Sequence, residues 1–120
     1  MTGIVIKKRS QAHFAKDFGG GTTSDRLILP GPDGCRVKVT LFQPKAGFTA
    51  RDIRYACDET VHAVSGRTTL YLADGAQVLL DAGDTYYVPA GTAYGLTAVT
   101  DGKLFCVFSQ AADGGMPDNG

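Results

Sequence analysis

Short strand-like runs separated by glycine turns constrain this chain more than any other feature of its sequence. Three Asp-Gly dipeptides are typical of hairpin turns, because glycine accepts the positive φ that such turns require: Asp33-Gly34, Asp74-Gly75 and Asp101-Gly102. Six runs rich in β-branched and aromatic residues lie around these turns, and we expect each to form a strand: 36–42, 60–64, 68–73, 76–80, 85–88 and 104–109. Many short strands with regular turns predict an all-β sandwich or barrel.

The rest of the chain adds little regular structure to this prediction. The length of 120 residues suits one domain. We expect helix, if any, to be confined to a turn near residues 11–18. The predicted division is an N-terminal arm with a flexible glycine loop over 1–24, a barrel over 25–112 and a disordered tail over 113–120.

Charge and cysteine content limit the partners and the compartment. Lys plus Arg and Asp plus Glu both number 12, so a zero net charge gives no reason to expect nucleic acid or an acidic membrane as partner. No apolar run is long enough to span a bilayer, and the first ten residues lack the pattern of a secretory signal. The cysteines Cys35, Cys57 and Cys106 form no paired pattern and predict reduced thiols in the cytoplasm.

Two spaced motifs lie in the middle of the chain. Gly47 is followed by five residues, Ile53-Arg54-Tyr55, three residues, Glu59, six residues and Gly66. Gly83 is followed by five residues, Pro89-Ala90-Gly91, two residues and Tyr94. This arrangement resembles the two motifs of the cupin superfamily (RmlC-like proteins) over roughly residues 35–110. The resemblance implies a single-domain jelly-roll barrel, also described as a double-stranded β-helix.

The metal-binding positions of the cupin motifs carry other residues here. Metal cupins use two histidines and a glutamate from the first motif and a histidine from the second; the matching residues are Ile53, Tyr55, Glu59 and Tyr94. Transition metals prefer imidazole or thiolate ligands, and a phenol with a pKa of about 10 must lose its proton to bind well. We therefore expect neither a metal nor another cofactor. A ferric centre using both phenolates, or one using Cys57, remains the alternative.

Strand alternation predicts which side chains face the pocket. If Glu59 points inward, Val61 does too, while His62 points outward. We predict Glu59, Tyr55 and Tyr94 as catalytic residues. The predicted substrate-binding residues are those expected to share the interior: Arg36, Lys38, Ile53, Cys57, Val61 and Tyr87. Arg36 and Lys38 could equally face solvent, one of Tyr86 and Tyr87 should point inward, and His13 reaches the site only if the arm folds over the barrel.

This residue set predicts acid–base chemistry. A carboxylate in an apolar barrel has a raised pKa, which suits proton transfer, and nearby phenols can donate hydrogen bonds to a developing oxyanion or enolate. We predict a metal-independent isomerase, lyase or cyclase that acts on a small polar metabolite. The alternatives are a non-catalytic ligand-binding module or sensor, and a metal-dependent oxygenase or lyase with atypical ligands.

A narrower resemblance and a surface feature complete the predictions. Tyr55, the pair Asp58-Glu59 and the run over 88–92 are similar to ethanolamine-utilisation EutQ-like cupins. That resemblance implies a small metabolic protein linked to aldehyde or amine catabolism and supplies no reaction. We expect a homodimer, because outward apolar residues such as Val64 need cover.

Overall fold

The computed structural model describes residues 3–109, whose regular secondary structure is almost entirely β-strand. The elements in chain order are a 3₁₀ turn at Arg9–Gln11, β1 at Phe14–Asp17, β2 at Thr23–Ile28, α1 at Pro30–Asp33, β3 at Val37–Gln43, β4 at Thr49–Ile53, β5 at Glu59–Ser65, β6 at Thr68–Leu72, β7 at Gln77–Leu80, β8 at Thr85–Val88, β9 at Tyr94–Ala98 and β10 at Lys103–Ser109. Sheet A has the order β1-β2-β3-β10-β5-β8, and sheet B has the order β4-β9-β6-β7. Every strand pair is antiparallel, which confirms the all-β, single-domain prediction.

Six of these strands match the predicted runs, and four were missed. Strand β1 occupies the stretch expected to hold helix. In β9, Gly95 interrupts the apolar pattern because a Cβ there would lie 2.8 Å from the carbonyl oxygen of Ala50 on β4. In β4, a register shift between Ala50 and Ile53 accompanies a positive φ of 55° at Asp52. Of the four missed strands, β4 and β9 therefore depart from simple alternation.

The three Asp-Gly dipeptides lie in three different structural contexts. Asp74-Gly75 joins the paired strands β6 and β7, as a hairpin turn should. Gly34 instead ends α1 in the left-handed conformation, with φ of 66°. Asp101-Gly102 carries the chain from β9 in sheet B to β10 in sheet A, so it does not form a hairpin. These two hairpin predictions were wrong because a local dipeptide does not report which sheet follows it.

The predicted boundary at residue 24 falls inside β2. Strand β2 pairs with both β1 and β3, so this part of the arm belongs to sheet A. The arm is also held at its start: Asp33 Oδ1 accepts a hydrogen bond from Lys7 Nζ at 3.1 Å, and His13 Nε2 lies 2.6 Å from Asp33 Oδ2. A backbone hydrogen bond from Leu29, followed by His13 and Lys7, lowers the pKa of Asp33 to about 2. The predicted tail over 113–120 lies outside the described residues.

The inner face of sheet A mixes polar and apolar side chains. Arg26, Thr40, Cys106, Val61 and Tyr86 lie opposite one another on consecutive strands from β2 to β8. All five point between the two sheets, and the first four are buried. Within residues 3–109, no helix is both long enough and apolar enough to cross a membrane. The interior of the barrel is a packed core that contains buried polar groups as well as apolar ones.

Candidate functional site

A cavity of about 460 Å³ lies between the two sheets. Its wall carries six aromatic rings, which are those of Phe18, Phe42, Phe48, Tyr55, Tyr86 and Tyr94. Aliphatic side chains fill the gaps between the rings, and Glu59 supplies a carboxyl group. The exposed residues Arg51, Asp52 and Arg54 form the rim. The volume lies within the range of about 300–1,000 Å³ that is usual for small-molecule sites.

Glu59 and Tyr94 join the two sheets across this cavity. Glu59 begins β5 of sheet A, and Tyr94 begins β9 of sheet B. The Tyr94 hydroxyl donates a short hydrogen bond to Glu59 Oε1. The two side chains are 4% and 6% exposed, so the pair is nearly removed from solvent. Glu59, the one glutamate in the sequence, is thus held in place by a residue from the other motif.

Burial determines the protonation of this cluster. Desolvation raises the pKa of Glu59 to about 7, although the hydrogen bond from Tyr94 opposes the shift. Burial, and then the charge of Glu59, raises the pKa values of Tyr55, Tyr86 and Tyr94 above the ordinary phenol range. At neutral pH the three phenols are therefore protonated and can donate hydrogen bonds. Glu59 is present in both its protonated and its ionised form.

Ring packing holds the phenols in position. The Tyr94 ring lies 6.5 Å from the Tyr55 ring and 6.4 Å from the Tyr86 ring, centroid to centroid, in edge-to-face arrangements. The Tyr55 ring also packs edge-on against buried Phe108 at 5.3 Å. Such pairs favour defined orientations, so the hydroxyls are presented by a stiff wall.

The sequence did not predict the three phenylalanines of the cavity wall, Phe18, Phe42 and Phe48. The Phe42 ring lies 5.7 Å from the Phe18 ring and 5.5 Å from the Phe48 ring. Phe18 comes from the arm, in the turn between β1 and β2. Phe42 continues the inward alternation of β3, a signal that could have found it. Phe18 carries no such signal, because only the fold brings the arm to the cavity.

The structure brings four of the predicted site residues to the cavity wall. These are Ile53, Tyr55, Glu59 and Tyr94, which occupy the four positions of the metal-cupin ligands. Cys57 and Val61 are buried in the neighbouring hydrophobic core and not on the wall. His62 points outward, with its Nδ1 atom 2.7 Å from the Thr85 hydroxyl, as alternation predicted.

Three predicted binding residues lie away from the wall. Tyr87 is 58% exposed, because β8 pairs it with outward-facing Thr60 and turns Tyr86 inward instead. Arg36 is exposed before β3 begins. Lys38 is 4% exposed inside the barrel, with its ammonium 5.8 Å from the Phe108 ring, yet it does not line the cavity. His13 is bound at Asp33 and also does not line it.

The donor set does not fit the metal ion that the cupin fold usually binds. Within residues 3–109, no three His, Cys, Asp or Glu side chains lie close enough to hold a metal ion. Ile53 has no donor atom, and the raised pKa values of Tyr55 and Tyr94 disfavour phenolate ligands. We therefore derive no chemical step through a metal.

Comparison with known proteins places the fold. No curated protein matches the sequence significantly. An RmlC-like cupin from Shewanella frigidimarina NCIMB 400 is 22% identical, covers 90% of this chain and 92% of its own, and has a TM-score of 0.74. Ectoine synthase from P. lautus is 20% identical, covers 88% and 78%, and has a TM-score of 0.77. A putative ethanolamine utilization protein Q from Salmonella typhimurium LT2 is 18% identical, covers 88% and 85%, and has a TM-score of 0.68.

The family itself is shown by sequence. The family model described as the EutQ-like cupin domain matches residues 32–107, well over half of the chain. The matched segment contains both motifs and the residues Tyr55, Glu59 and Tyr94. This chain belongs to the EutQ-like cupin domain family.

Proposed function

We propose that this protein is a metal-independent acid–base enzyme of the isomerase, lyase or cyclase type that acts on a small molecule. One observation carries the proposal: a buried carboxyl group, hydrogen-bonded by Tyr94, opens onto a ligand-sized cavity. A carboxyl group whose pKa lies near neutrality transfers protons most effectively in both directions. The wall around it is mostly apolar, which keeps competing water away.

In the proposed mechanism, Glu59 transfers the proton and the two tyrosines Tyr55 and Tyr94 stabilise charge. Glu59, as carboxylate, removes a proton from the substrate and forms the neutral acid. The phenol of Tyr55 donates a hydrogen bond to the substrate oxygen on which negative charge develops. Glu59 then returns its proton to a second atom, so the substrate is isomerised with no net change in protons. Tyr94 acts by holding the Glu59 carboxyl and favouring its charged form.

The comparisons support small-molecule chemistry on this fold. Ectoine synthase, by its name, makes a small metabolite, and it shares the fold at a TM-score of 0.77. At 20% identity the likeness extends to the fold alone, so the reaction proposed here depends on Glu59 and its neighbours.

Replacing Glu59 tests the proposal. A library of small metabolites is incubated with the protein and followed by NMR, and a transformed compound defines the activity. We expect Glu59→Gln to lower turnover at least about 100-fold, because the acid–base group is lost while its shape is kept. The thermal melt reports whether the variant is folded. Unchanged turnover in a folded Glu59→Gln protein would refute the mechanism.

A non-catalytic binding module is the second candidate. The Tyr94 hydroxyl donates to Glu59 Oε1 without any ligand, so the polar pair is held in place even if no reaction occurs. The same NMR experiment separates the candidates, because a ligand that raises the melting temperature and is recovered unchanged favours binding. Elemental analysis of the active protein tests the metal-dependent alternative. A stoichiometric amount of bound metal would contradict the metal-free proposal.

We also propose that the protein is a homodimer in the cytoplasm. The outer face of sheet A carries exposed apolar and aromatic side chains, including Phe105 at 38%, Val64 at 51% and Tyr87 at 58% exposed. All three cysteines are free, which suits a reducing compartment. Light scattering over a range of concentrations tests the first part, and a monomer throughout would contradict it. Cell fractionation tests the second.

A further inference from the structure

The wall of the cavity is far more aromatic than a polar substrate requires. Phe18, Phe42 and Phe48 form an edge-to-face trio, with centroid distances from 5.5 to 6.1 Å. Tyr55, Tyr86, Tyr94 and Leu96 line the same cavity. A surface of this kind stabilises a ligand mainly by removing apolar area from water. Edge-to-face contacts with six rings add a preference for a flat ring system.

The positions of the charged residues on the cavity lining disfavour an anionic group next to Glu59. The cations on the cavity lining are Arg51 and Arg54, and both lie at the exposed rim. The Arg51 guanidinium stacks 3.5 Å from the Tyr71 ring centroid, and Arg54 Nη1 donates a hydrogen bond to the Gly91 carbonyl at 3.0 Å. Arg26 is close enough to affect Tyr55, but it does not line the cavity. A ligand carboxylate or phosphate placed beside buried Glu59 would therefore lose its hydration, while both cations of the lining lie in the exposed rim.

We infer that the substrate of this site is a neutral molecule with a flat, unsaturated ring body and a hydroxyl or carbonyl oxygen that accepts a hydrogen bond from Tyr55 beside Glu59. The inference rests on the proposed acid–base function and names its substrate class. It narrows the small molecule of the proposed function to one with a ring body, because six aromatic rings line the cavity around Glu59. The ring body packs against the phenylalanine trio, and the oxygen reaches the phenols.

Three probes of similar size test the class by isothermal titration calorimetry at pH 7. We expect 2-naphthol to bind with one site per chain. The saturated analogue 2-decalol should bind about three- to tenfold more weakly, because it makes no ring–ring contacts. The anion 2-naphthoate should bind at least about tenfold more weakly, because its charge must be desolvated. Absence of 2-naphthol binding, or equal binding of either analogue, would overturn the inference.

A matched pair of variants locates the binding. Phe48→Leu should weaken 2-naphthol binding about three- to tenfold, because Phe48 lies on the cavity wall. Phe105→Leu makes the same change on the outer face of sheet A, where Phe105 is 38% exposed, and should leave the affinity unchanged. An equal loss in both variants would show that the probe binds outside the cavity, against the inference.

The Glu59→Gln variant separates this inference from the function on which it rests. We expect it to retain 2-naphthol binding while it loses turnover. If the probes behave as expected but Glu59→Gln keeps full turnover, the acid–base function fails and the ligand class stands. If turnover requires Glu59 but the transformed compound is anionic or saturated, the ligand class fails and the function stands.

Discussion

Strands β3 and β5 flank β10 in the same sheet, yet they turn opposite kinds of side chain inward. On β5 the inward residues are mostly apolar, with Val61 and Ala63 behind Glu59, and the outward residues include exposed His62. On β3 the inward residues begin with Lys38 and Thr40, which are 4% and 0% exposed, and only the last, Phe42 on the cavity wall, is apolar. The apolar residues of β3 point outward and are half-buried: Val37, Val39 and Leu41. Alternation therefore identifies two faces of a strand, but polarity does not say which face is inside.

The register with β10 explains the difference. Thr40 lies opposite Cys106, and Cys106 lies opposite Val61. Side chains directly opposite one another on neighbouring strands share a face of the sheet. Once the first motif orients Glu59 and Val61 inward, the pairing forces Thr40 and Lys38 inward as well. Four predictions test this assignment and the buried carboxyl on β5, from the largest expected effect to the smallest.

Placing a lysine on each strand gives the largest contrast. Val61→Lys buries a charge at a position that is 0% exposed, and we expect it to lower the free energy of unfolding by about 4 kcal/mol. Val39→Lys places the same charge on the outer face, where the side chain can extend into water, and should cost less than about 1 kcal/mol. Urea denaturation measures both. A larger loss in Val39→Lys would reverse the assigned face of β3.

The pH dependence of stability tests the buried carboxyl on β5. The pKa of Glu59 is raised to about 7 in the folded chain, so between its unfolded value and pH 7 the folded state holds the proton more tightly. Stability from this group is present at low pH and is lost as pH rises through 7. Relative to Glu59→Gln, the wild type should lose about 3 kcal/mol between pH 4 and pH 8. Parallel curves for the two proteins would contradict the raised pKa.

A pair of tyrosine variants tests what holds that carboxyl. Tyr94→Phe removes the hydrogen bond that favours the charged form, so the pKa of Glu59 should rise further by about one unit. Tyr87→Phe is the control, because Tyr87 bonds to Asp58 outside the cavity. The carbon chemical shift of the Glu59 carboxyl, followed by NMR against pH, measures the change. A shift of the same size in Tyr87→Phe would show that the Tyr94 contact is not responsible.

Replacing one threonine on β3 and one on β5 with valine gives the smallest expected effect and tests which face of β3 is buried. Thr40 Oγ1 is buried and has no hydrogen-bond partner of normal geometry within residues 3–109, although the weakly accepting sulfur of Cys106 lies beside it. Thr40→Val should therefore stabilise the fold by about 1 kcal/mol. Thr60→Val changes an exposed outward position on β5 and should alter stability by less than about 0.5 kcal/mol. Destabilisation by Thr40→Val would mean that its hydroxyl is satisfied in the folded chain.

Much of the fold followed from local pattern, and the failures share a cause. The spacing from Gly47 to Tyr94 and the glycine turns were sufficient for an all-β cupin, because turns and alternation are local properties. The hairpin predictions at Gly34 and Gly102 failed because the partner of the next strand is a non-local property. Strand β9 was missed because the backbone of β4, which is far away in sequence, leaves no room for a side chain at Gly95.

The candidate site divides in the same way. The two motifs resemble those of cupins, and this resemblance placed Ile53, Tyr55, Glu59 and Tyr94 together. They lie on β4, the β4–β5 connection, β5 and β9. Tyr87 was chosen over Tyr86 without knowledge of the register with β5, and that register turns Tyr86 inward. Phe18 could not be found, because it lies in the turn of a hairpin whose pairing to β3 brings it to the cavity.

By itself, the sequence determined that strands would alternate, that they would close around Glu59, and that three histidine positions would hold Ile53, Tyr55 and Tyr94. The tertiary structure decided which face of β3 is buried, which tyrosine of β8 lines the cavity, and that the arm supplies Phe18 to its wall. The physical reason is that side-chain type sets a preference for burial worth a few kcal/mol per residue. Hydrogen-bonded register orients every side chain of a strand at once, so a few well-placed residues on β5 outweigh the local polarity of β3.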